Sequence, residues 1–261
     1  MAQSVPDRYR LNYEVLFSTC VIRPSKYTVI DRTIDKIFAN KSRYETVAKD
    51  LSIPWYVIGI IHNMECSLNF TKHLHNGDPL SARTVQVPAG RPRTGNPPFT
   101  WEVSAKDALT YDNINTWGNW TISGILYKLE GYNGFGYYYH QINSPYLWSF
   151  SNHYSKGKYV ADGHYDPNAV SGQIGAAVLL RRMLERQLIV LPNGTSLDQV
   201  KTLGESSGIY SPTVFIEKGE MLQILLNGIG AILKIDGKPG PKTSNEYKRI
   251  TGKFLKGDPR R

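Results

Sequence analysis

A nine-residue apolar segment, IPWYVIGII from Ile53 to Ile61, constrains the fold most strongly, because so continuous a run must be buried. Apolar residues continue at spacings of three and four as far as Leu68. This pattern predicts a helix over residues 52–68, with Ser52 as its N-cap and Pro54 in its first turn. The same periodicity recurs along the chain and predicts a mainly α fold.

Glu65 stands at the end of this apolar segment. The predicted helix places Glu65 on the apolar stripe and close to the helix C-terminus. Burial and the negative helix end both disfavour a charged carboxylate, so we expect a raised pKa. A carboxyl group that stays protonated near neutral pH can act as a general acid. The alternative is an ordinary glutamate on a partly exposed helix end, paired with a lysine or histidine.

The loop after this helix carries further polar residues, in the sequence HLHNGDPL from His73 to Leu80. Asp78 is our candidate for a second carboxylate, since an inverting glycosidase needs a base roughly 6.5–9.5 Å from its acid. Glu102 and Glu130 are rival bases. Asp78 also suits a plain turn, because it follows a glycine and precedes a proline.

A metal site is the sharpest alternative for this region. Two or three ligands could hold zinc and leave an open position that activates water. The candidate ligands are His62, Glu65, His73, His75 and Asp78. Their spacing matches no familiar zinc signature, so we predict no metal and no cofactor, and we expect the histidines to contact sugar hydroxyls. Cys66 is a further alternative as nucleophile, but a cysteine beside an apolar helix is most often buried and inert.

Three segments carry a family resemblance. MECSLNF, around Glu65, resembles the Glu-Ser segment that closes the catalytic helix of goose-type lysozymes and soluble lytic transglycosylases. LEGYNGFGYYY, farther along, resembles the Ala-Tyr-Asn-x-Gly segment of the same superfamily, and SPYLWSFSNHY resembles the Tyr-containing helix that follows it. The resemblance covers roughly residues 50–185, and the three segments stand in the family's order.

This resemblance implies a lysozyme-like fold that cleaves the β-1,4 glycan strands of peptidoglycan. It implies that Glu65 is the acid and that Tyr132 and Asn133 line the sugar site. Two departures stand out: Cys66 replaces the usual serine, and the Gly-Leu-Met-Gln segment of transglycosylases is absent. We expect the loop from 73 to 92 to line the cleft instead, with Arg83 meeting substrate carboxylates or N-acetyl groups.

The C-terminal segment resembles the small three-helix peptidoglycan-binding domain. Its signature is a Leu-Gln pair followed by Asp-Gly-x-x-Gly-x-x-Thr. The matching wall-binding candidates are Asp236, Gly237, Gly240 and Thr243. The glycines allow a tight loop, and Thr243 can cap the next helix. Residues 215–261 carry seven Lys and three Arg against five acidic residues. This segment therefore holds much of the net charge of +9.

A strongly basic chain is attracted to anionic polymers, among them nucleic acid and bacterial cell wall. No nucleic-acid-binding signature is present, so we expect peptidoglycan as the partner and no nucleic acid. The N-terminus has no apolar signal segment, and no apolar run is long enough to span a membrane. We therefore expect synthesis in the cytoplasm, no membrane insertion, and release to the wall by a holin or by lysis.

Together these observations predict a muramidase of the endolysin type, with a small three-helix module beside the lysozyme-like domain. Residues 1–190 form the catalytic domain, of which 1–50 are an N-terminal helical part. Residues 191–214 are the linker, and 215–261 form the peptidoglycan-binding module. Three alternatives remain open: a lytic transglycosylase that forms 1,6-anhydro ends, a non-catalytic wall-binding protein, and a metal-dependent wall hydrolase.

Overall fold

The computed structural model describes residues 5–191, 197–228 and 231–261. Most of its regular structure is helical, which confirms the predicted mainly α class. The α-helices are α1 (Asp7–Ser18), α2 (Tyr27–Ala39), α3 (Lys41–Leu51), α4 (Trp55–Cys66), α5 (Trp101–Tyr111), α6 (Ile122–Asn133), α7 (Pro145–Trp148), α8 (Ala176–Glu185), α9 (Leu197–Ser207), α10 (Glu217–Gly228) and α11 (Pro241–Thr251).

Two short 3-10 turns, Pro24–Lys26 and Gly136–His140, join this set. Two strands, β1 (Lys158–Ala161) and β2 (His164–Asp166), form a small antiparallel hairpin. The described chain divides into two compact units. The first unit holds Ile22–Asn119 and Lys128–Arg182, and the second holds Val5–Val21, Trp120–Tyr127 and Met183–Arg261.

The core of the first unit is built around α4. Almost the whole apolar segment is buried, as its composition predicts. Helix α2 contributes Ile30, Ile34 and Ile37, whose spacing puts them on one face, and all three are fully buried. Gly59 of α4 permits a close approach, because a Cβ atom there would lie 2.6 Å from the Cγ2 atom of Ile37. A side chain at position 59 would therefore force α4 away from α2.

The predicted helix over 52–68 is confirmed in its main part, but its caps differ. Pro54 is the N-cap of α4, and no side chain caps this end. Ser52 instead ends α3 in the left-handed conformation, with φ of 56°. The prediction that Ser52 caps α4 is therefore wrong. The cause is the nearness of the two helices, since a residue that closes α3 cannot also begin α4.

No helix or named strand lies between α4 and α5 in this fully described stretch, which confirms the long loop predicted there. An isolated antiparallel bridge between Lys72 and Pro79 closes its first part. Thr100 ends the loop as the N-cap of α5, and its hydroxyl accepts a hydrogen bond from the amide of Val103. Helix α5 then consists of the segment WEVSAKDALTY.

The second unit has its own core, which contains Val200, Leu222, Leu226 and Tyr247. Val200 belongs to α9, which lies inside the segment predicted as a linker. That segment is therefore part of a folded unit from Leu197 onward, because α9 supplies apolar side chains that α10 and α11 bury. Residues 192–196 of the predicted linker lie outside the described residues.

Helix α1 also belongs to the second unit, whereas the sequence analysis placed it in the catalytic domain. Tyr13 and Phe17 on this helix are buried. The side-chain amide of Asn227 on α10 donates to the carbonyl of Ser18 at 2.9 Å. The second unit is therefore larger than the predicted module, and α1 is packed with it. Among the described residues, no helix is both long enough and apolar enough to cross a membrane.

Candidate functional site

Glu65 is the penultimate residue of α4, so the predicted position near a helix C-terminus is confirmed. Its neighbours Met64 and Cys66 are buried, but the Glu65 side chain is exposed to solvent. The prediction that Glu65 lies on the buried stripe is wrong in this respect. Consecutive helical residues point about 100° apart, so one residue can face outward between two that face inward.

The pKa of Glu65 is nevertheless raised, and desolvation by the surrounding protein is the main cause. The hydroxyl of Tyr146 donates a hydrogen bond to Oε1 of Glu65 at 2.8 Å, which opposes the rise by stabilising the carboxylate. The negative charge of Asp112 adds to the rise. Solvent therefore reaches Glu65, although the surrounding protein partly desolvates its carboxyl group. This environment favours the protonated acid.

Two tyrosines complete the surroundings of Glu65. Burial and the charge of Glu65 raise the pKa of Tyr146 well above its usual value, so its hydroxyl stays protonated and donates. Burial, followed by the charges of Asp112 and Glu65, does the same for Tyr132. Tyr132 was predicted at the site, and the structure brings it within electrostatic reach of Glu65. Asn133, the last residue of α6, is exposed.

Asp112 is the residue that sequence reasoning missed. It follows α5 directly as the C-cap residue. Its charge acts on both Glu65 and Tyr132. The available signal was its position directly after the segment that forms α5, but nothing in the sequence places that helix end where its charge acts on Glu65.

Asp78 has a different environment from the one expected of a general base. Its Oδ2 atom accepts hydrogen bonds from the amides of Val85 and Gln86, at 2.8 and 3.0 Å, and from the side chain of Asn76 at 3.1 Å. These donors hold the pKa of Asp78 below its usual range. All three come from the loop itself, so the structure gives Asp78 a part in folding the loop. Its part as a base stays a prediction.

His73 and His75 fasten the same loop to α5. His73 is fully buried, and its Nδ1 and Nε2 atoms lie 2.8 Å from the hydroxyl of Ser104 and from the carbonyl of Ala82. Nε2 of His75 lies 2.8 Å from Oδ2 of Asp107. Both nitrogens of His73 and Nε2 of His75 have protein partners, and Nδ1 of His75 is buried, which leaves the predicted contacts with sugar hydroxyls without support.

His62 lies inside an aromatic cluster rather than on a binding surface. It is fully buried, its Nδ1 atom lies 3.0 Å from the hydroxyl of Tyr44, and its ring contacts Phe70 and Trp101. Burial lowers the pKa of His62 to about 4, so the ring is neutral at neutral pH. A buried ring cannot touch substrate, so the structure contradicts a substrate-binding role for His62.

Arg83 is engaged within the loop as well. Its Nη2 atom donates to the carbonyl of Gly95 at 2.6 Å, and its guanidinium lies 5.5 Å from the centre of the Phe99 ring. In the described part of the chain, no group of three or more His, Cys, Asp or Glu side chains is arranged to hold a metal ion. Burial also raises the pKa of the Cys66 thiol to about 12, which disfavours the reactive thiolate.

The predicted wall-binding residues form a compact loop around Gln223, which is buried. Oε1 of Gln223 accepts hydrogen bonds from the amides of Asp236 and Gly237, at 3.0 and 2.9 Å. Its Nε2 atom donates to Oδ1 of Asp236 and to the hydroxyl of Thr243. The signature therefore describes a folded loop, and its contact with a wall stays a prediction.

Two details of this loop concern the predicted roles. Gly237 has φ of 65°, and a Cβ atom there would lie 2.3 Å from the Phe215 ring, so glycine is required. Gly240 is the N-cap of α11. Thr243 does not cap this helix, because it already lies inside the first turn. The prediction that Thr243 is a cap is therefore wrong.

Comparison of the chain with families of known proteins, with curated proteins and with solved structures gives no match.

Proposed function

We propose that this protein cleaves the β-1,4 glycosidic bonds of peptidoglycan strands, with Glu65 as the general acid. The observation that carries the proposal is the state of the Glu65 carboxyl group. Solvent reaches it, protein raises its pKa, and the Tyr146 hydroxyl fixes its orientation from 2.8 Å. An acid for glycoside cleavage needs these three properties: access to substrate, a retained proton and a fixed direction.

The reaction begins when Glu65 gives its proton to the glycosidic oxygen. The bond between that oxygen and the sugar C1 atom breaks, its electron pair stays on the oxygen, and positive charge develops on the ring. Tyr146 then stabilises the carboxylate that remains on Glu65, because its hydroxyl donates to that group. Tyr132 and the exposed Asn133 are the proposed contacts for the sugar.

The fate of the sugar cation decides between two outcomes. Water attack gives hydrolysis, and attack by the 6-hydroxyl of the same sugar gives a 1,6-anhydro end. Asp112 is the acidic residue whose charge acts on Glu65, so it is a better-placed candidate base for water than Asp78, whose carboxylate accepts three hydrogen bonds within its loop. If the products show hydrolysis, Asp112 is therefore the candidate base that activates water.

The basic C-terminal segment is the proposed anchor on the wall. Asp236, Gly237 and Thr243 are used to build the loop around Gln223, so we assign wall attraction to exposed Lys and Arg side chains of 215–261. This attraction should weaken with salt, because exposed charges are screened within about 8–10 Å at physiological ionic strength. The proposed route to the wall is release from the cytoplasm through a holin or by lysis.

The test is mass spectrometry of purified peptidoglycan after incubation with the protein. Fragments with reducing ends would establish hydrolysis, and fragments with 1,6-anhydro ends would establish transglycosylation. Glu65→Gln keeps the shape of the side chain and removes the proton, so no fragments above background are expected. Glu45→Gln is the matched control, because Glu45 is exposed and forms only a surface ion pair with Lys41. An intact protein that releases no fragments would contradict the proposal.

A further inference from the structure

A pocket of about 290 Å³ lies in the first unit, and none of its lining residues belongs to the site described above. Its lining combines two cations with hydroxyl and apolar groups and contains no acidic residue: Arg23, Lys26, Ser149, Phe150, Tyr154, Val170, Ser171 and Gly172. Its volume is at the lower end of the range for ligand clefts, so it suits a small molecule or one residue of a larger ligand.

Arg23 is held rigidly at this pocket. Its Nε atom donates to the carbonyl of Ser151 at 3.2 Å, and its Nη2 atom donates to the carbonyl of Tyr154. Its own amide donates to the carbonyl of Phe150, within an antiparallel bridge between Ile22 and Ser151. Carbonyl groups orient the guanidinium but do not neutralise its charge, so Arg23 is a preorganised cation.

Lys26 supplies the second positive charge. Its Nζ atom lies 4.5 Å from the centre of the Phe150 ring, and Phe150 itself is buried at the pocket. Within the described residues, neither Lys26 nor Arg23 forms an ion pair with a carboxylate. Two cations at one concave surface repel each other, and an anion between them removes that repulsion.

Three further polar groups of the pocket already have protein partners. The Ser149 hydroxyl donates to the carbonyl of Ser171, the amide of Ser171 donates to Tyr154, and the Tyr154 hydroxyl donates to the carbonyl of Gly157. Phosphate sites usually supply several free backbone amides to three oxygens. This pocket supplies two cationic side chains, which match the two oxygens of a carboxylate.

The apolar part of the lining adds a second requirement. The buried Phe150 ring and the exposed Val170 side chain also line the pocket. A ligand that carries a small aliphatic group next to its carboxylate can contact both the cations and the apolar side chains. A bare inorganic anion can contact only the cations. The C-terminus of a peptide that ends in a small residue has this structure.

We propose that this pocket binds the carboxylate of a short peptide, with Arg23 and Lys26 as its counter-ions. The pocket adjoins the Glu65 site along the chain. Tyr146 stands three residues before Ser149, and the side chain of Gln173, next to Gly172, donates to the carbonyl of Met64 at 2.7 Å. If the proposed function holds, on which this last step rests, the ligand is a peptide stem of the glycan strand.

The proposal is tested by the binding of N-acetyl-Ala-Ala to the full-length protein, measured by NMR titration. The free acid should bind saturably, and its C-terminal amide should bind ~10-fold or more weakly, which corresponds to about 1.4 kcal/mol. Lys26→Gln should weaken binding of the acid by a similar factor, and Lys26→Arg should restore it. The control is Lys36→Gln, because Lys36 is exposed on α2 and is not part of the pocket.

Equal binding of acid and amide would overturn the proposal, as would an unchanged affinity in Lys26→Gln. Competition by inorganic phosphate as strong as that by the peptide would overturn the assignment to a carboxylate. The assay contains no glycan, so it is separate from the test of cleavage. Saturable peptide binding without cleavage supports the pocket and contradicts the proposed function, and cleavage without peptide binding does the reverse.

Discussion

Glu65 and Asp78, which lie close together in sequence, have opposite environments. Glu65 accepts one hydrogen bond, from Tyr146, and desolvation with the charge of Asp112 raises its pKa. Asp78 accepts three hydrogen bonds, two of them from backbone amides, and its pKa is lowered. Hydrogen bonds to a carboxylate favour the charged form, and desolvation opposes it. The protein environment therefore favours the protonated form of the carboxyl group at Glu65 and the charged form at Asp78.

The polar side chains of the loop after α4 hold this loop in place. His73 and His75 contact Ser104 and Asp107 of α5, and Asp78 gathers the amides of the following turn. Polar residues that suggested catalysis in the sequence are used to hold an irregular loop in place. A loop with little regular structure needs such partners, because it lacks the continuous backbone hydrogen bonding of a helix or sheet.

The largest expected effect is a difference in activity between variants of Glu65 and Asp78. Glu65→Gln should lower the rate of glycan cleavage by ~10² or more, because the general acid is lost. Asp78→Asn should keep most of the rate at a temperature where the variant is folded, because Asp78 acts on the loop. Rates on soluble glycan fragments, with circular dichroism as a check of folding, measure both. A severe loss in folded Asp78→Asn would restore Asp78 as the candidate base.

Tyr146→Phe should have the next largest effect, on the pH dependence of cleavage. The variant removes a hydrogen bond that favours charged Glu65, so the pKa of Glu65 should rise further. The rate limb that reports loss of the acid's proton should then move to higher pH. The rate itself should fall by ~10-fold, as for one lost hydrogen bond to a charged group.

The control for that variant is Tyr139→Phe, because the Tyr139 side chain is 88% exposed, whereas Tyr146 is buried. Its pH profile should match that of the unmodified protein. A profile of Tyr146→Phe that stays in place would mean that the Tyr146 hydroxyl does not act on the catalytic acid.

Stability should respond to Asp78→Asn more than to a substitution at an exposed aspartate. The folded-state pKa of Asp78 lies below its usual value, so its stabilising effect is present above that usual value and is lost as pH falls through the folded pKa. Asp78→Asn should therefore destabilise the protein at neutral pH, with a smaller effect near pH 3. Thermal unfolding of Asp78→Asn, compared with that of Asp162→Asn at an exposed aspartate, measures the difference in stability. Equal losses of stability in the two variants would contradict the prediction.

The smallest expected effect has the opposite sign and concerns the stability of Glu65→Gln. Because the folded-state pKa of Glu65 is raised, ionisation costs stability as pH rises from the usual glutamate value through the folded pKa. Glu65→Gln removes that cost, so it should stabilise the protein at neutral pH by up to about 0.5 kcal/mol and have no such effect in acid. Chemical denaturation of both proteins at neutral and at acidic pH measures this difference. A loss of stability in Glu65→Gln at neutral pH would contradict the prediction.

The local patterns predicted the helices well. The continuous apolar segment located α4, and the position of Glu65 near its end followed from the same pattern. Asp112 and the partners of His73 and His75 were not predictable, because those contacts join positions that lie far apart along the chain. Helix α9 was missed because its few apolar residues become informative only when α10 and α11 cover them.

The most direct measurement is an NMR titration of the side-chain carboxyl carbons of Glu65 and Asp78 in the same sample. The account predicts that Glu65 titrates above 4.5 and that Asp78 titrates below 3.8, the values of the two groups without a protein environment. Glu65→Gln and Asp78→Asn assign the two signals. A Glu65 midpoint at or below 4.5 would contradict the account, because a fully ionised Glu65 has no proton to give to the glycosidic oxygen.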